Sequence, residues 1–304
     1  MKSDTPLIIA GDVADDDVNV VLTLVKQFTL PLNLTPVMIE EKLTQKVRKR
    51  LSDEYARPIL TLDNKQQLSL LTGQVSVSPA WQSLQRRVVS AGRKSELLLQ
   101  ACKLTQSSHV LDATAGFGHD SLILASTGAT VVMLERNPLM ALLLEYEQQK
   151  MAQHKNWQKL MSRLQIVCTD ASDYMANYHA NDSHKADSKS SQHSATAFDV
   201  IYLDPMFPDN SYEHANSNKG AKVGKHMQAL HDIALPPDID EEQALLNLAL
   251  NTVNHSDDKE AAKGRVVVKR PVTAPLLANC QPDEQWQNDV LRFDAYFAHN
   301  RDKI

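Results

Sequence analysis

The sequence predicts an α/β protein: a doubly wound, largely parallel sheet preceded by a small α+β amino-terminal domain. Three observations carry that expectation. From about residue 109 onward, short apolar runs alternate with helix-patterned segments. A glycine-bearing loop follows the first of these runs, and an acidic residue ends the second. The run Val200-Ile201-Tyr202-Leu203 then stops abruptly at Asp204-Pro205-Met206-Phe207-Pro208. With 304 residues the chain can hold one large domain and a smaller one. The expected division is 1–80 for the small domain and 81–304 for the large one.

Taken in order, the first eighty residues carry little chemistry. Residues 6–10 suit a short strand, and 18–28 place Val18, Val21, Leu22 and Val25 at helical spacing. Ile59, Leu60 and Leu62, then Leu68, Leu70 and Leu71, suggest further short strands before a turn over 73–79. This domain is expected to help hold a macromolecular substrate. Residues 79–104 are helical in pattern with a break near Gly92, bracketed by Arg86, Arg87, Arg93 and Lys94. Those cations either meet phosphates or form ordinary helix surface.

Residues 109–136 are more informative. A strand over 109–114 leads into the tight loop 115–118 (AGFG) and a helix over 119–126. Gly116 and Gly118 lack a Cβ, so the backbone there can turn sharply and approach a ligand closely. A second strand, 130–134, ends in Glu135, about twenty positions beyond the glycines, where a carboxylate accepts hydrogen bonds from ribose hydroxyls. Asn137 caps the following helix and Pro138 opens it. A third strand, 163–168, is followed by Asp170 and Ala171. Asp170 either meets an adenine amino group, with the Ala171 amide beside it, or caps the next helix.

Two cofactors suit that geometry. A dinucleotide wants the spacing GxGxxG and a helix start aimed at a pyrophosphate, but Ser121 stands where the third glycine would be. S-adenosylmethionine (SAM) has no phosphate; it carries an ammonium, a carboxylate and a sulfonium. Asp112 at the strand end and Asp120 after the loop offer carboxylates suited to its cationic groups. SAM is therefore the favoured cofactor.

Residues 178–197 contain no aliphatic side chain larger than alanine, and suit a flexible insertion. His179, His184 and His193 are spaced too irregularly for a metal site. At Asp204 a carboxylate, the Pro205 carbonyl and the Phe207 ring sit at the carboxyl end of a strand, where open α/β sheets bind ligands. Such a set either suits a planar molecule bearing an amino group or is simply a strand ended by a proline turn. The polar loop 209–224, with Lys219 and Lys222 and then Lys225, has the length of a lid or clamp. A helix over 238–253, a strand over 264–269 ending in Lys269-Arg270-Pro271, and a closing antiparallel strand over 290–297 complete the alternation.

Composition narrows the partners. The net charge of −5 announces no nucleic acid in bulk, and each basic cluster (42–50, 86–94, 219–225, 263–270) reads first as solvated surface. Cys102, Cys168 and Cys280 are scattered and form neither a disulfide framework nor a zinc site, so no metal is expected. The amino terminus lacks a signal pattern and no apolar run is long enough to span a membrane, so a soluble, cytoplasmic protein is expected.

The motifs DATAGFGHD (112–120), LERNP (134–138), YLDPMFP (202–208) and VVVKRP (266–271) together resemble the J-type ribosomal RNA small-subunit methyltransferases, over residues 80–297. The resemblance implies a Rossmann-like, class I SAM-dependent fold that methylates the N2 amine of a guanosine in 16S rRNA, with the small ribosomal subunit as partner. It implies cofactor contacts from His119, Asp120, Glu135, Arg136, Asp170, Ala171 and Asp204. The family tends to carry arginine at position 119 and small hydroxyl residues at 170 and 171; backbone contacts survive such changes. It also implies that Asp204 and the Pro205 carbonyl bind the amine hydrogens while Phe207 stacks on a base turned out of its helix. Lys269 and Arg270, with Arg93, Lys94, Lys222 and Lys225, are then expected to face RNA. Two other readings use the same residues. One is an aminomethyl transferase acting on adenine in DNA or on a protein glutamine. The other is a non-catalytic RNA-binding assembly protein that has kept the fold.

Overall fold

The computed structural model describes residues 3–55, 57–73, 75–183, 198–207, 236–254 and 264–298. Lys219, Lys222, Lys225, the 209–224 lid and most of the 178–197 insertion lie outside the described residues.

The amino-terminal elements are β1 (Ser3–Ala10), α1 (Asp15–Gln27), β2 (Leu32–Ile39), α2 (Gln45–Tyr55), β3 (Ile59–Leu62), β4 (Leu68–Thr72) and β5 (Val75–Val77). They form a five-stranded sheet in the order β2-β1-β3-β4-β5. β1 is parallel to both β2 and β3, whereas β3, β4 and β5 run antiparallel in turn. Periodicity reveals β1, β3 and β4 because each is buried; β2 is a half-exposed edge strand, and its pattern is correspondingly faint. α2 is held by only two buried residues, Val47 and Leu51.

The connecting stretch is a 3-10 turn (Trp81–Leu84) followed by α3 (Gln85–Ser90) and α4 (Leu97–Cys102), with the expected break around Gly92. The second sheet comprises β6 (His109–Asp112), β7 (Thr130–Leu134), β8 (Leu164–Val167), β9 (Val200–Leu203), β10 (Arg265–Pro271), β11 (Glu284–Gln287) and β12 (Leu291–Phe297). The intervening helices are α5 (His119–Ser126), α6 (Pro138–Ala152), α7 (Gln158–Met161), α8 (Ala171–Ser183) and α9 (Ile239–Thr252). Strand order is β11-β12-β10-β9-β6-β7-β8, with β10, β9, β6, β7 and β8 parallel and β12 antiparallel to β10. α8 runs on to Ser183, so the first residues of the expected flexible insertion are helix.

This connectivity creates a switch point. The chain leaves β6 toward β7 and β8 on one side, then returns to place β9 on the other. Crossovers on either side of β6 and β9 diverge there and leave a crevice at the strands' carboxyl ends. α6 lies between the two sheets and is buried nearly all round from Met140 to Glu147. Met140, Ala141, Leu142, Leu143 and Tyr146 join the core of the first sheet, while Leu144 and Met151 join that of the second. The helix that follows β7 thus also carries the amino-terminal sheet.

Candidate active site

The loop after β6 is built by packing and by a dense set of backbone hydrogen bonds. Gly116 and Gly118 both have positive φ, at 53° and 71°. A Cβ on Gly118 would lie 2.7 Å from Met133 Cε and 2.9 Å from Trp81 Cζ2. Gly118 is therefore required by the left-handed turn and by core packing, whereas the sequence suggested close approach to a ligand. Trp81 is wholly buried and its indole Nε1 donates to the Phe117 carbonyl at 2.8 Å. The Trp81 amide donates to Glu147 on α6 at 2.9 Å. Nothing in the local sequence pattern marks Trp81 as the loop's anchor, because its partners lie 36 and 66 residues away.

Asp112 departs from expectation. It is 1% exposed, and its carboxylate takes the Ser121 hydroxyl and, at 3.2 Å, the Thr114 amide. Burial pushes its pKa up to about 7 despite those bonds. An enclosed carboxylate with local partners does not face a cofactor cation; it braces the loop. Ser121, in the third-glycine position, is there to meet it.

Glu135 is partly exposed at the end of β7. Its Oε2 accepts from the Gly116 amide at 3.1 Å and its Oε1 from the Asn137 amide at 2.7 Å, which joins the glycine loop to the start of α6. Burial raises its pKa to about 7 against these two bonds. A carboxylate offers about four acceptor sites, so capacity for ribose hydroxyls remains. Arg136 beside it is exposed. Asp170 caps α8, with Oδ1 accepting from the Ser172 amide at 2.8 Å, and Ala171 begins that helix. His119 meets the Pro79 carbonyl through Nε2 at 2.7 Å and stacks with Phe117.

Asp204 stands across the crevice. Its amide donates to Thr114 Oγ1 at 2.6 Å, a bond that bridges the switch point from β9 to β6. Its Oδ2 accepts from Lys269 Nζ at 2.9 Å, and the same ammonium reaches Asp120 Oδ2 at 2.8 Å. The Tyr202 hydroxyl donates to that Asp120 oxygen at 2.7 Å. Burial raises the Asp204 pKa, the Lys269 charge opposes it, and the neighbouring Asp120 charge adds to the rise. Burial also works against ionised Asp120, but the Lys269 charge and the Lys269 and Tyr202 hydrogen bonds outweigh it and hold Asp120 at about 2. Lys269 is held firmly protonated: burial alone would lower its pKa, and the two carboxylates more than reverse that.

Three substrate-side expectations change. Lys269 is engaged by two carboxylates and does not project toward RNA. Arg270 is 1% exposed and pairs with Glu242 of α9, whose Oε2 accepts from the Ala278 amide at 2.7 Å. Adjacent strand residues point to opposite faces, so Lys269 reaches the crevice and Arg270 the α9 layer. Phe207 is 4% exposed, so its ring is not an open stacking platform; a ring without a polar tip is driven to bury. Arg93 and Lys94 are exposed, though Arg93 donates to the Leu104 carbonyl at 2.7 Å.

The glycine loop, Glu135, Asp170 and Asp204 follow β6, β7, β8 and β9, so all four lie at the carboxyl ends of neighbouring parallel strands. A ligand bearing ribose hydroxyls, an adenine amino group and a cationic centre fits this set of carboxylate acceptors. Among the described residues no group of three or more potential metal ligands occurs, all three cysteines are free, and no helix is long and apolar enough to cross a membrane.

Comparison with known proteins identifies the family and its cofactor class. The SAM-dependent methyltransferase family profile matches residues 40–298. The ribosomal RNA small subunit methyltransferase J of Psychrobacter cryohalolentis is 54% identical over 295 residues, covering 96% of this chain and 95% of that protein. Its counterpart in Acinetobacter baylyi is 39% identical over 225 residues, covering 73% and 74%. The crystal structure of a SAM-dependent methyltransferase from Neisseria gonorrhoeae superposes with a TM-score of 0.64 at 25% identity, covering 97% of both chains.

Proposed function

The chain belongs to the J-type ribosomal RNA small subunit methyltransferases, a SAM-dependent family, and from that membership we propose that it methylates the exocyclic N2 amine of a guanosine in 16S rRNA. The observation that carries the amine acceptor is the Asp204 turn, tied to β6 through Thr114 and to β10 through Lys269. The residues to hold the cofactor are Gly116, His119, Asp120, Glu135, Arg136, Asp170 and Ala171, with Asp204 at the boundary between cofactor and base. Bound there, SAM supplies an electrophilic methyl group on a sulfonium.

The exocyclic amine is a poor nucleophile while its lone pair is delocalised into the purine. Lys269 occupies Oδ2 of Asp204 and leaves Oδ1 to accept one amine hydrogen. The Pro205 carbonyl accepts the other, which turns the lone pair out of the ring plane and toward the methyl. Positioning supplies much of the acceleration. As the N–C bond forms and the methyl–sulfur bond breaks to leave a neutral thioether, Asp204, whose hold on a proton burial strengthens, would take the proton the amine sheds. Phe207 is buried at the turn.

The same proposal assigns residues 81–304 to catalysis and residues 1–80 to holding the RNA, in the cytoplasm where small subunits are available. Mass mapping of 16S rRNA from cells with and without the gene tests it. Loss of one N2-methylguanosine, restored by methyl transfer from labelled SAM to purified small subunits, is the expected result. An unchanged modification map rejects the substrate.

A further inference from the structure

The amino-terminal sheet contains a cleft whose chemistry the crevice does not use. Val47 and Leu51 sink one side of α2 into the core, at 8% and 2% exposed, and the cations of the helix lie around them. Those cations are not equivalent. Arg50 is closed off by Glu41, with Nη1 donating to Oε1 at 3.1 Å and Nη2 to Oε2. Lys46, Arg48 and Lys49 instead line a cleft of about 960 Å³ between α2 and the β4–β5 strands, together with the hydroxyls of Thr44, Ser69 and Ser76. No carboxylate is among its described lining residues. Arg48 Nε is buried there without a hydrogen-bond partner among the described residues. The Ser52 hydroxyl donates to the Gly73 carbonyl and fastens α2 to the turn between β4 and β5.

Three cations with three hydroxyls and no acid form a donor set for phosphate oxygens. In a chain of net charge −5, such a cluster is a local reversal of the overall field. The cleft also adjoins the catalytic end. Ser76 precedes Pro79 by three residues, a reach of at most about 11 Å. The Pro79 carbonyl meets His119, the neighbour of Asp120 in the Lys269 cluster. One short connector therefore joins the cationic cleft to the crevice.

We propose that Lys46, Arg48 and Lys49 grip the phosphodiester backbone of the RNA whose guanosine is presented at Asp204, making this cleft the docking site of the amino-terminal domain. The inference rests on the ribosomal RNA reading above and names where the strand is held. Small ribosomal subunits are the probe. Their binding to wild type and to the Lys46→Gln/Arg48→Gln/Lys49→Gln variant is measured from about 50 to 200 mM KCl. The variant should bind at least tenfold more weakly at low salt, with its log–log salt slope flattened by about 2 to 3. Calorimetric SAM affinity and melting temperature should not change. Should Arg48 be needed for folding, the exposed pair Lys46→Gln/Lys49→Gln alone should flatten the slope by about 2. Arg50→Gln, which removes an already paired cation, should have less than a twofold effect. Wild-type affinity and slope in both multiple variants overturn the proposal. Methyl transfer is followed in parallel: salt-dependent binding through these residues without transfer by wild type would reject the assigned reaction and keep the cleft.

Discussion

Two pairs of carboxylates flank the switch point, and they have opposite fates. Asp112 and Glu135 meet only neutral donors, a hydroxyl and three backbone amides between them. Burial wins at both, and each is pushed up to about 7. Asp120 and Asp204 share the Lys269 ammonium. There the charge decides: Asp120 is drawn down to about 2 and stays ionised, while burial and the adjacent Asp120 charge leave Asp204 the readier of the two to take a proton. The same side chain braces a loop on one side and, on the other, forms a charged acceptor beside one that can carry a proton. The difference lies in the partner, not in the residue type.

The largest test of this contrast is Asp204→Ala. It should abolish methyl transfer, by a factor of about 1,000 or more at saturating SAM, while circular dichroism stays near wild type. Near-normal turnover would remove Asp204 from the chemistry. Next comes Lys269→Met, which leaves two carboxylates facing each other uncompensated. Transfer should fall about 100-fold and stability by about 2 to 3 kcal/mol, less than a fully buried broken pair because the partners are 16% and 27% exposed. The acid limb of the pH–rate profile should move upward, since the ammonium that held Asp120 low is gone. Lys269→Arg should restore the charge and part of the rate. An unmoved acid limb in Lys269→Met would show that the pairing does not set the protonation of the site.

The smallest effect is expected on the other side. Folded Asp112 holds its proton up to about 7, against an ordinary value of 3.8, so between those values the native state binds more protons than the unfolded chain. Stability from this group is therefore fully present below about 4 and lost as pH rises through about 7. Asp112→Asn should flatten that decline by about 1 to 2 kcal/mol, read from urea midpoints at pH 5 and pH 8. Asp120 has the opposite sign: its contribution is present above 3.8 and lost as pH falls through about 2. An equally steep profile in Asp112→Asn would assign the pH dependence elsewhere.

Much of the second sheet was legible in the sequence because its signals are local. The apolar run 200–203, the glycine loop, the Asn137-Pro138 helix start and the Asp204 turn each lie within a few adjacent residues. The amino-terminal sheet was less legible. β2 is a half-exposed edge strand, β5 has three residues, and α2 is held by two side chains, so none carries a strong period.

The residues alone determined the main alternation of the second sheet, the SAM-type loop and the acidic turn at Asp204, since backbone geometry and short-range spacing encode all three. Tertiary structure decided which charges are spent internally. Lys269 and Arg270 are adjacent and look equally available, yet one bridges Asp120 and Asp204 and the other is buried against Glu242. Asp112 and Asp120 both looked suited to a cation; Ser121 and Thr114 enclose the first, while Lys269 and Tyr202 take one oxygen, Oδ2, of the second. Trp81 became the anchor of the glycine loop through contacts 36 and 66 residues distant. The physical reason is common to all of these. A charge or a buried donor takes its value from groups brought to it by folding, and those groups lie far away along the chain.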